Sequence, residues 1–442
     1  MRSVRPVAAQ GGNTMNRSRR IVFAPVMALA MTALSLGSGG IVAHAAPSTY
    51  VIGVDAATPA NHLFMYTDFF PRGGTSVLQG DVVDFKWDTG SPDGFHTATL
   101  LKTGDDPNTV FGATPPVTPD TDDGAGTIQE NPAIGAPSNP ACGTVGSPCA
   151  FDGTAQLNSG AFPNQPGKDF YVAVNAQAGT TVTFICLIHR GMVGTLSVVA
   201  NAASTPASVT AAGATQYASD TSEALAAEAA VTVPSPTTNS DGSKTWNAQA
   251  GTEGPHEQVL EFFPSSLSVA TGDSVKWTSK AHDIHTVTFP NGTASAADDF
   301  HQFVCEAGPP DAPAAPPPAP PCADPTTFES HFTGAPAGGT TLASPATVAT
   351  SGVIAAAPLP FPDNYTFKVA GAGTYTYQCK VHDHMTGTLA ATTVVVATLP
   401  KAGSGQATSA LSATVAALVG GLVVLALAAT LGLTARRRRQ QG

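Results

Sequence analysis

Cys186-Leu187-Ile188-His189-Arg190-Gly191-Met192 and Cys379-Lys380-Val381-His382-Asp383-His384-Met385 are two copies of one phrase, C-x-x-H-x-x-M, in a chain of 442 residues. A thiolate, an imidazole and a thioether set this close together form a donor set biased towards copper. Cys and Met are soft ligands that suit Cu(I), and imidazole suits both oxidation states. Each copy has a further histidine upstream in a matching phrase, His96 in GFHTATLL and His285 in DIHTVTFP. Two His, one Cys and a weak axial Met are the ligands of a blue-copper site. The sequence therefore predicts two copper ions, one held by His96, Cys186, His189 and Met192, the other by His285, Cys379, His382 and Met385.

The text around these phrases repeats too. TWNAQAG answers TYVIGVDA, QVLEFFPSSLSVATGDSVKW answers FMYTDFFPRGGTSVLQGDVVDFKW, and YTFKVAGAGTYTYQCKVH answers FYVAVNAQAGTTVTFICLIH. Such order and spacing mark duplicated domains, placed at 47–200 and 244–398. Their alternating apolar residues read as strands. LFMYTDFFP is one strand ending at Pro71, Gly80-Asp81 turns between two strands, and AGT (178–180) turns between two strands of a hairpin. Residues 103 to 165 break the pattern with Pro, Gly, Asp and Asn. The Ala/Ser/Thr/Pro-rich stretch 201–243 reads as a linker, with a short helix in SDTSEALAAEAAV capped at Thr221 or Ser222.

Each half resembles a cupredoxin, the small blue-copper fold of plastocyanin, azurin and amicyanin. The C-x-x-H-x-x-M spacing is most similar to amicyanin. The resemblance implies an all-β chain of two tandem Greek-key β-sandwiches, with one histidine on a mid-domain strand and Cys, His and Met on the loop joining the last two strands. It further implies that His189 and His382 are outward-facing exit ligands, beside loops that differ as Arg190-Gly191 and Asp383-His384. This sequence departs from the small cupredoxins in length. His96 precedes Cys186 by 90 residues and His285 precedes Cys379 by 94, so each domain carries a long Pro/Gly-rich insertion. Each insertion holds one cysteine pair, Cys142 with Cys149 and Cys305 with Cys322. In an exported chain, two disulfides that staple these loops are the economical assignment. AGPPDAPAAPPPAPP, between the second pair, reads as extended polyproline.

Three classes of function share these ligands. Electron carriage comes first, copper binding or storage without electron transfer second, and catalysis third. Copper oxidases place histidines beside the cysteine. Here Ile185 and Leu187 flank one cysteine, Gln378 and Lys380 the other. His282 stands three residues before His285 and competes with it as ligand, but the repeat aligns His285 with His96. His384 has Gly191 as its counterpart and reads as a loop residue, while His62, His256, His301 and His331 have no usable spacing. Trp87 and Trp277 occupy matching K-W positions and read as core.

The ends set the compartment. Arg17-Ser18-Arg19-Arg20, an apolar run from Ile21 and Ala43-His44-Ala45 make residues 1–46 a signal peptide. Near the other end, Leu411 to Thr434 is an uncharged run of membrane-spanning length, followed by Arg436 to Arg439. Leu399-Pro400-Lys401-Ala402-Gly403 before it resembles a sortase sorting signal, with Ala402 where Thr is usual. The expectation for 399–442 is a membrane anchor or, after cleavage, a cell-wall link, with the copper domains facing out. Arg2, Arg5, Arg17, Arg19, Arg20 and Arg436 to Arg439 are nine of the 20 basic residues, leaving 11 against 31 acidic groups in the chain between them. That balance argues against nucleic acid and for basic redox partner proteins.

Overall fold

Alternation of apolar and polar side chains builds the strands. Thr49–Val54 buries Tyr50, Ile52 and Val54, and Asp169–Val174 buries Phe170, Val172 and Val174, one face of each strand entering a core. The computed structural model describes residues 46–87, 94–119, 127–163, 169–201, 203–292, 300–305, 328–382 and 384–393.

Two β-sandwiches follow in chain order. In the first, one sheet runs Cys149–Phe151, Asp169–Val174, Val82–Trp87, Thr49–Val54, Phe69–Phe70. The facing sheet runs Leu157–Asn158, Thr99–Leu100, Thr181–Ile185, Val193–Val199, Thr75–Leu78. The second sandwich repeats the plan. Ser274–Ser279 lies between Lys244–Glu253 (parallel) and Asn364–Val369 (antiparallel), as Val82–Trp87 lies between Thr49–Val54 and Asp169–Val174. Its facing sheet runs Ser266–Ala270, Thr386–Thr392, Gly373–Gln378, Thr288–Phe289, Ala349–Thr350. The cores are aromatic. Phe184 meets Phe69 and Phe85 edge-on at 4.8 and 5.1 Å, and Trp277 packs on Tyr377 and Phe289 at 5.4 and 5.9 Å.

Register corrects the alignment of the tryptophans. Phe85 sits opposite Ile52 and Phe170, where Trp277 sits opposite Ala248 and Tyr365. Phe85 is therefore the counterpart of Trp277, while Trp87, opposite Val54, answers Ser279, opposite Ala250. Gly80-Asp81 turns between two strands as expected, but the expected hairpin at 178–180 is corrected. Asp169–Val174 and Thr181–Ile185 are not a hairpin, because they belong to facing sheets and the turn at Gly179 (φ 95°) carries the chain between them. The turn at Gly80-Asp81 does the same between Thr75–Leu78 and Val82–Trp87. Both strands at such a turn bury one face in the core between the sheets, so local pattern cannot tell a crossing from a hairpin.

The sandwiches share elements. LFMYTDFFP is two strands, not one. Phe64–Tyr66 pairs with Glu257–Val259 at the edge of the second sandwich, whereas Phe69–Phe70 pairs back onto Gly53–Val54 of the first. Between them Asp68 breaks the run, its Oδ1 accepting from the N–H of Phe69 at 2.7 Å. The insertions meet as well. Val117–Pro119 and Thr127–Glu130 from the first join His301–Cys305 and Phe328–Thr333 from the second in one four-stranded sheet.

The expected linker is instead a 24-residue helix, Pro206–Ala229. Thr205 caps it, its side chain accepting from the N–H of Ser208, and Pro206 opens the first turn where no N–H is needed. Thr221 lies inside the helix and meets Tyr66 Oη at 2.9 Å. Ala-rich composition gave the segment helix propensity that its Ser, Thr and Pro content obscured. Tyr217 packs on Tyr66 and Phe70 at 5.4 and 6.0 Å, and Gly213 lets the helix backbone close on the carbonyl of Phe70, where a Cβ would stand 2.9 Å from the oxygen. Glu228 pairs with His62 of the first half at 2.7 Å, and Glu223 with His256 of the second at 3.3 Å. Both sandwiches belong to one unit.

Among the described residues, no helix is long and apolar enough to cross a membrane. The expected signal peptide, Leu399 to Gly403, and Leu411 to Thr434 lie outside the described residues, apart from Ala46 at the start.

Candidate metal centres

In each sandwich the end of one strand supplies the cysteine and the start of the next receives the methionine. Cys186 follows Thr181–Ile185, and Met192 precedes Val193–Val199. Two backbone hydrogen bonds close the loop, Cys186 N–H to Met192 O at 3.0 Å and Met192 N–H to His189 O at 3.2 Å. The second loop closes identically, Cys379 to Met385 and Met385 to His382, each at 2.9 Å. Backbone closure makes the ligand spacing a fixed geometry.

Three donors converge in each centre. Cys186 Sγ lies 4.0 Å from His96 Nδ1 and 3.7 Å from His189 Nδ1, with the two nitrogens 3.0 Å apart. His96 is fully buried, and Cys186 and Met192 are each 1 % exposed. In the second centre Cys379 Sγ lies 3.6 Å from His382 Nδ1, and His285, Cys379 and His382 present donor atoms all within 4.8 Å of one another. His285 and Cys379 are fully buried and Met385 is 1 % exposed.

The threonine after each upstream histidine has a structural role. Thr97 N–H donates to Cys186 Sγ at 3.4 Å, while its hydroxyl accepts from Leu187 N–H at 2.8 Å and meets Thr99 Oγ1 at 3.0 Å. Thr286 does the same for Cys379 (3.3 Å), Lys380 (2.8 Å) and Thr288 (3.0 Å). The recurrence of H-T-x-T in the sequence was the signal; its purpose, locking the cysteine loop onto the histidine strand, was not visible there. Further donors reach Cys186 Sγ from the N–H groups of Ile188 and His189 at 3.4 and 3.5 Å.

The electrostatics favour a thiolate. Burial opposes ionisation of Cys186, but His189 and His96 outweigh it and hold the thiol well below its usual range. Cys379, opposed by burial and favoured by His285 and His382, falls to about 5. Burial works against protonation of His96, yet Asp55 and Cys186 raise it to about 9. For His382, burial is likewise outweighed, by Asp283 and then Cys379. A buried thiolate with two imidazole nitrogens turned to it is a soft, trigonal donor set that fits a copper ion.

The exit-ligand expectation meets a different geometry. His189 is 9 % exposed and His382 3 %, and the outer nitrogen of His382 faces Asp283. Asp383 lies outside the described residues. His282 stands apart from the second centre, exposed and paired with Glu253. His384 is exposed and lines a cavity of about 280 Å³ with His62 and Glu261. Arg190 rests over the ring of Phe111 at 5.9 Å. Cys142 and Cys149 form a disulfide, their Cα atoms 4.9 Å apart, in the first insertion. The Cys305 side chain and Cys322 lie outside the described residues, and with them the second expected bridge. Asp55 and Asp283 behind the histidines were missed in the sequence, where single aspartates in VDA and HDIH carry no spacing signal.

The solved structures this chain resembles are cupredoxins. They include oxidised plastocyanin from Dryopteris crassirhizoma, at 16% identity over 33% of this chain and 99% of that one, TM-score 0.17. A Cu(I) mutant of amicyanin matches at 15% identity over 36% and 97%, TM-score 0.18. Reduced auracyanin from Roseiflexus castenholzii matches at 19% identity over 34% and 96%, TM-score 0.18. No family model and no curated protein matches the chain.

Proposed function

We propose that this chain is a cupredoxin-type electron carrier with two blue-copper centres, exported and tethered at the cell surface, exchanging electrons with partner proteins that carry basic surfaces. The observation that carries this reading is the buried convergence of one cysteine sulfur and two histidine Nδ1 atoms in the first centre, with the same residue types gathered in the second. Copper bound there would supply a one-electron couple between Cu(I) and Cu(II). The protein's share is to keep the ligands in place in both states. Thr97 and Thr286 pin the cysteine loops, N–H donors hold the sulfur, and the cysteine and histidine side chains are buried. Preset ligands lower the rearrangement that each electron transfer requires. The acidic excess of the chain between its ends supports attraction of a basic partner.

Metal analysis and visible spectra of the wild type, Cys186→Ala, Cys379→Ala and the double variant test this. The expected result is two copper ions and a blue colour in the wild type, one ion in each single variant, and a colourless double variant. A double variant that stays blue overturns the ligand assignment. Irreversible voltammetry of the copper-loaded wild type overturns carriage in favour of storage.

A further inference from the structure

The two centres match in their ligands and differ in what stands behind them. Asp55 and Gly251 are equivalent positions, one residue past Val54 and Ala250 in strands of identical register, Thr49 opposite Val82 and Thr245 opposite Ser274. Both have left-handed backbones, φ 61° and 65°. A residue with a Cβ adopts this conformation far less readily than glycine, so an aspartate there invites an explanation. Its carboxylate supplies one. Oδ1 accepts from the N–H groups of Ala56 (2.7 Å) and Tyr66 (2.8 Å), which aims Oδ2 at His96 Nε2, 3.1 Å away, with both side chains fully buried. In the second centre Gly251 lies directly against the His285 ring, and a Cβ at that position would collide with Nε2. Among the described residues, neither ring nitrogen of His285 has a hydrogen-bond partner. The carboxylate there stands behind the other ligand. Asp283 Oδ2 is 3.2 Å from His382 Nε2, an ion-pair distance without the angle of a good hydrogen bond.

We infer that the chain makes its two centres inequivalent by moving one carboxylate from the strand ligand to the loop ligand. Asp55 is a positioning residue for His96 and Asp283 one for His382, while the His285 ring lies against Gly251, where the first centre has Asp55. A carboxylate behind a ligand histidine keeps the proton on Nε2, leaves Nδ1 free for the metal, and strengthens the ring as a donor. Asp55 should therefore act on the first centre, while Asp283, whose carboxylate also feels His189 of the first centre, should act most on the second. This inference rests on the copper reading above, and its test is arranged so that the two can fail separately.

The first arm uses the full chain without metal. Nitrogen-15 NMR of the histidine rings, recorded above pH 9 where His96 has given up its second proton, should place the remaining proton on Nε2; Asp55→Ala should change that signal, and Asp55→Asn, whose carbonyl still accepts, should restore it. Should Asp55→Ala not fold, Asp55→Asn against wild type in the second arm carries the test. The second arm loads copper into Cys379→Ala, which isolates the first centre, and into Cys186→Ala, which isolates the second. Asp55→Asn should raise the potential of the first centre and leave the second unmoved, and Asp283→Asn should raise the second centre more than the first. Unchanged His96 signals in Asp55→Ala, or equal shifts of both centres in either aspartate variant, would overturn the inference. A chain that takes up no copper overturns the functional reading, while the metal-free arm still decides the role of Asp55.

Discussion

Glu257 is fully buried: Oε2 accepts from His256 N–H at 3.1 Å, while Oε1 has no partner among the described residues. Burial raises this carboxyl from 4.5 to about 7, against the His256 N–H and Arg72, with Glu223 and Asp220 adding to the rise. The sign follows. The folded state favours the proton, so the group's contribution is fully present below about 4.5 and is lost as pH rises through about 7. Glu257→Gln keeps the shape and cannot ionise. It should be more stable than wild type by about 1–3 kcal/mol at pH 8 and nearly equal to it at pH 4.5. Urea midpoints at the two pH values measure this, and an equal gap at both would refute it. At this scale the converging Cys and His residues were legible in sequence, because Cys, His and Met are scarce and the C-x-x-H-x-x-M spacing follows one closed loop. Glu257, Asp55 and Asp283 were hidden. A buried carboxylate acts through neighbours distant in the chain, as Asp55 does on His96, 41 residues away.

Among elements, the helix Pro206–Ala229 departs furthest from what its sequence suggests. It buries Val209, Gly213, Asp220 and Ala224, a narrow stripe of small and polar residues in which no large apolar side chain marks an inward face. Contact instead comes from the sandwiches, whose Phe70 and Tyr66 reach up to it, so the pattern that identifies an amphipathic helix lies on its partners. Gly213 is the point of closest approach, a Cβ there standing 2.9 Å from Phe70 O and 3.2 Å from Pro71 N. Both are backbone atoms and cannot swing aside. Gly213→Val should lift the helix and cost about 1–3 kcal/mol, the range for overpacking. Gly213→Ala should cost less, and Ala214→Val, at an exposed neighbouring position, should be close to neutral. Thermal melts of the three variants measure the order; equal melting temperatures would mean that the helix does not bear on Phe70. Strands were easier to read than this helix, since alternation inside one strand needs no knowledge of its neighbour. Which strand pairs with which was harder, and Phe64–Tyr66 shows why: its apolar residues fit the edge of either sandwich.

Across the whole molecule, the duplicated sequence suggests two bodies that could unfold apart, and the sharing of elements argues otherwise. Phe64–Tyr66 leaves the first half of the chain to pair in the second sandwich, and the two insertions pair in one sheet. Arg72 ties three elements together: its Nε is 3.0 Å from Asp68, its Nη2 is 2.7 Å from Asp220 on the helix, and Nη1 contacts His256 of the second half. The side chains of Asp68 and Asp220 are only 2 % and 1 % exposed. Removing the guanidinium would leave two buried carboxyls side by side without a cation, a change that costs about 3–5 kcal/mol when one partner of a buried pair is lost. Because that cost falls on the seam and not inside either core, its consequence is specific. The metal-free wild type should melt in one calorimetric transition whose van't Hoff and calorimetric enthalpies agree. Arg72→Ala should melt lower and split towards two transitions, while Lys86→Ala, which removes an exposed charge from a strand of the first sandwich, should keep the single transition. Two resolved transitions already present in the wild type would mean that the shared strands do not couple the halves. A single transition in Arg72→Ala, lowered but intact, would mean that the shared sheets hold the seam without the buried charges.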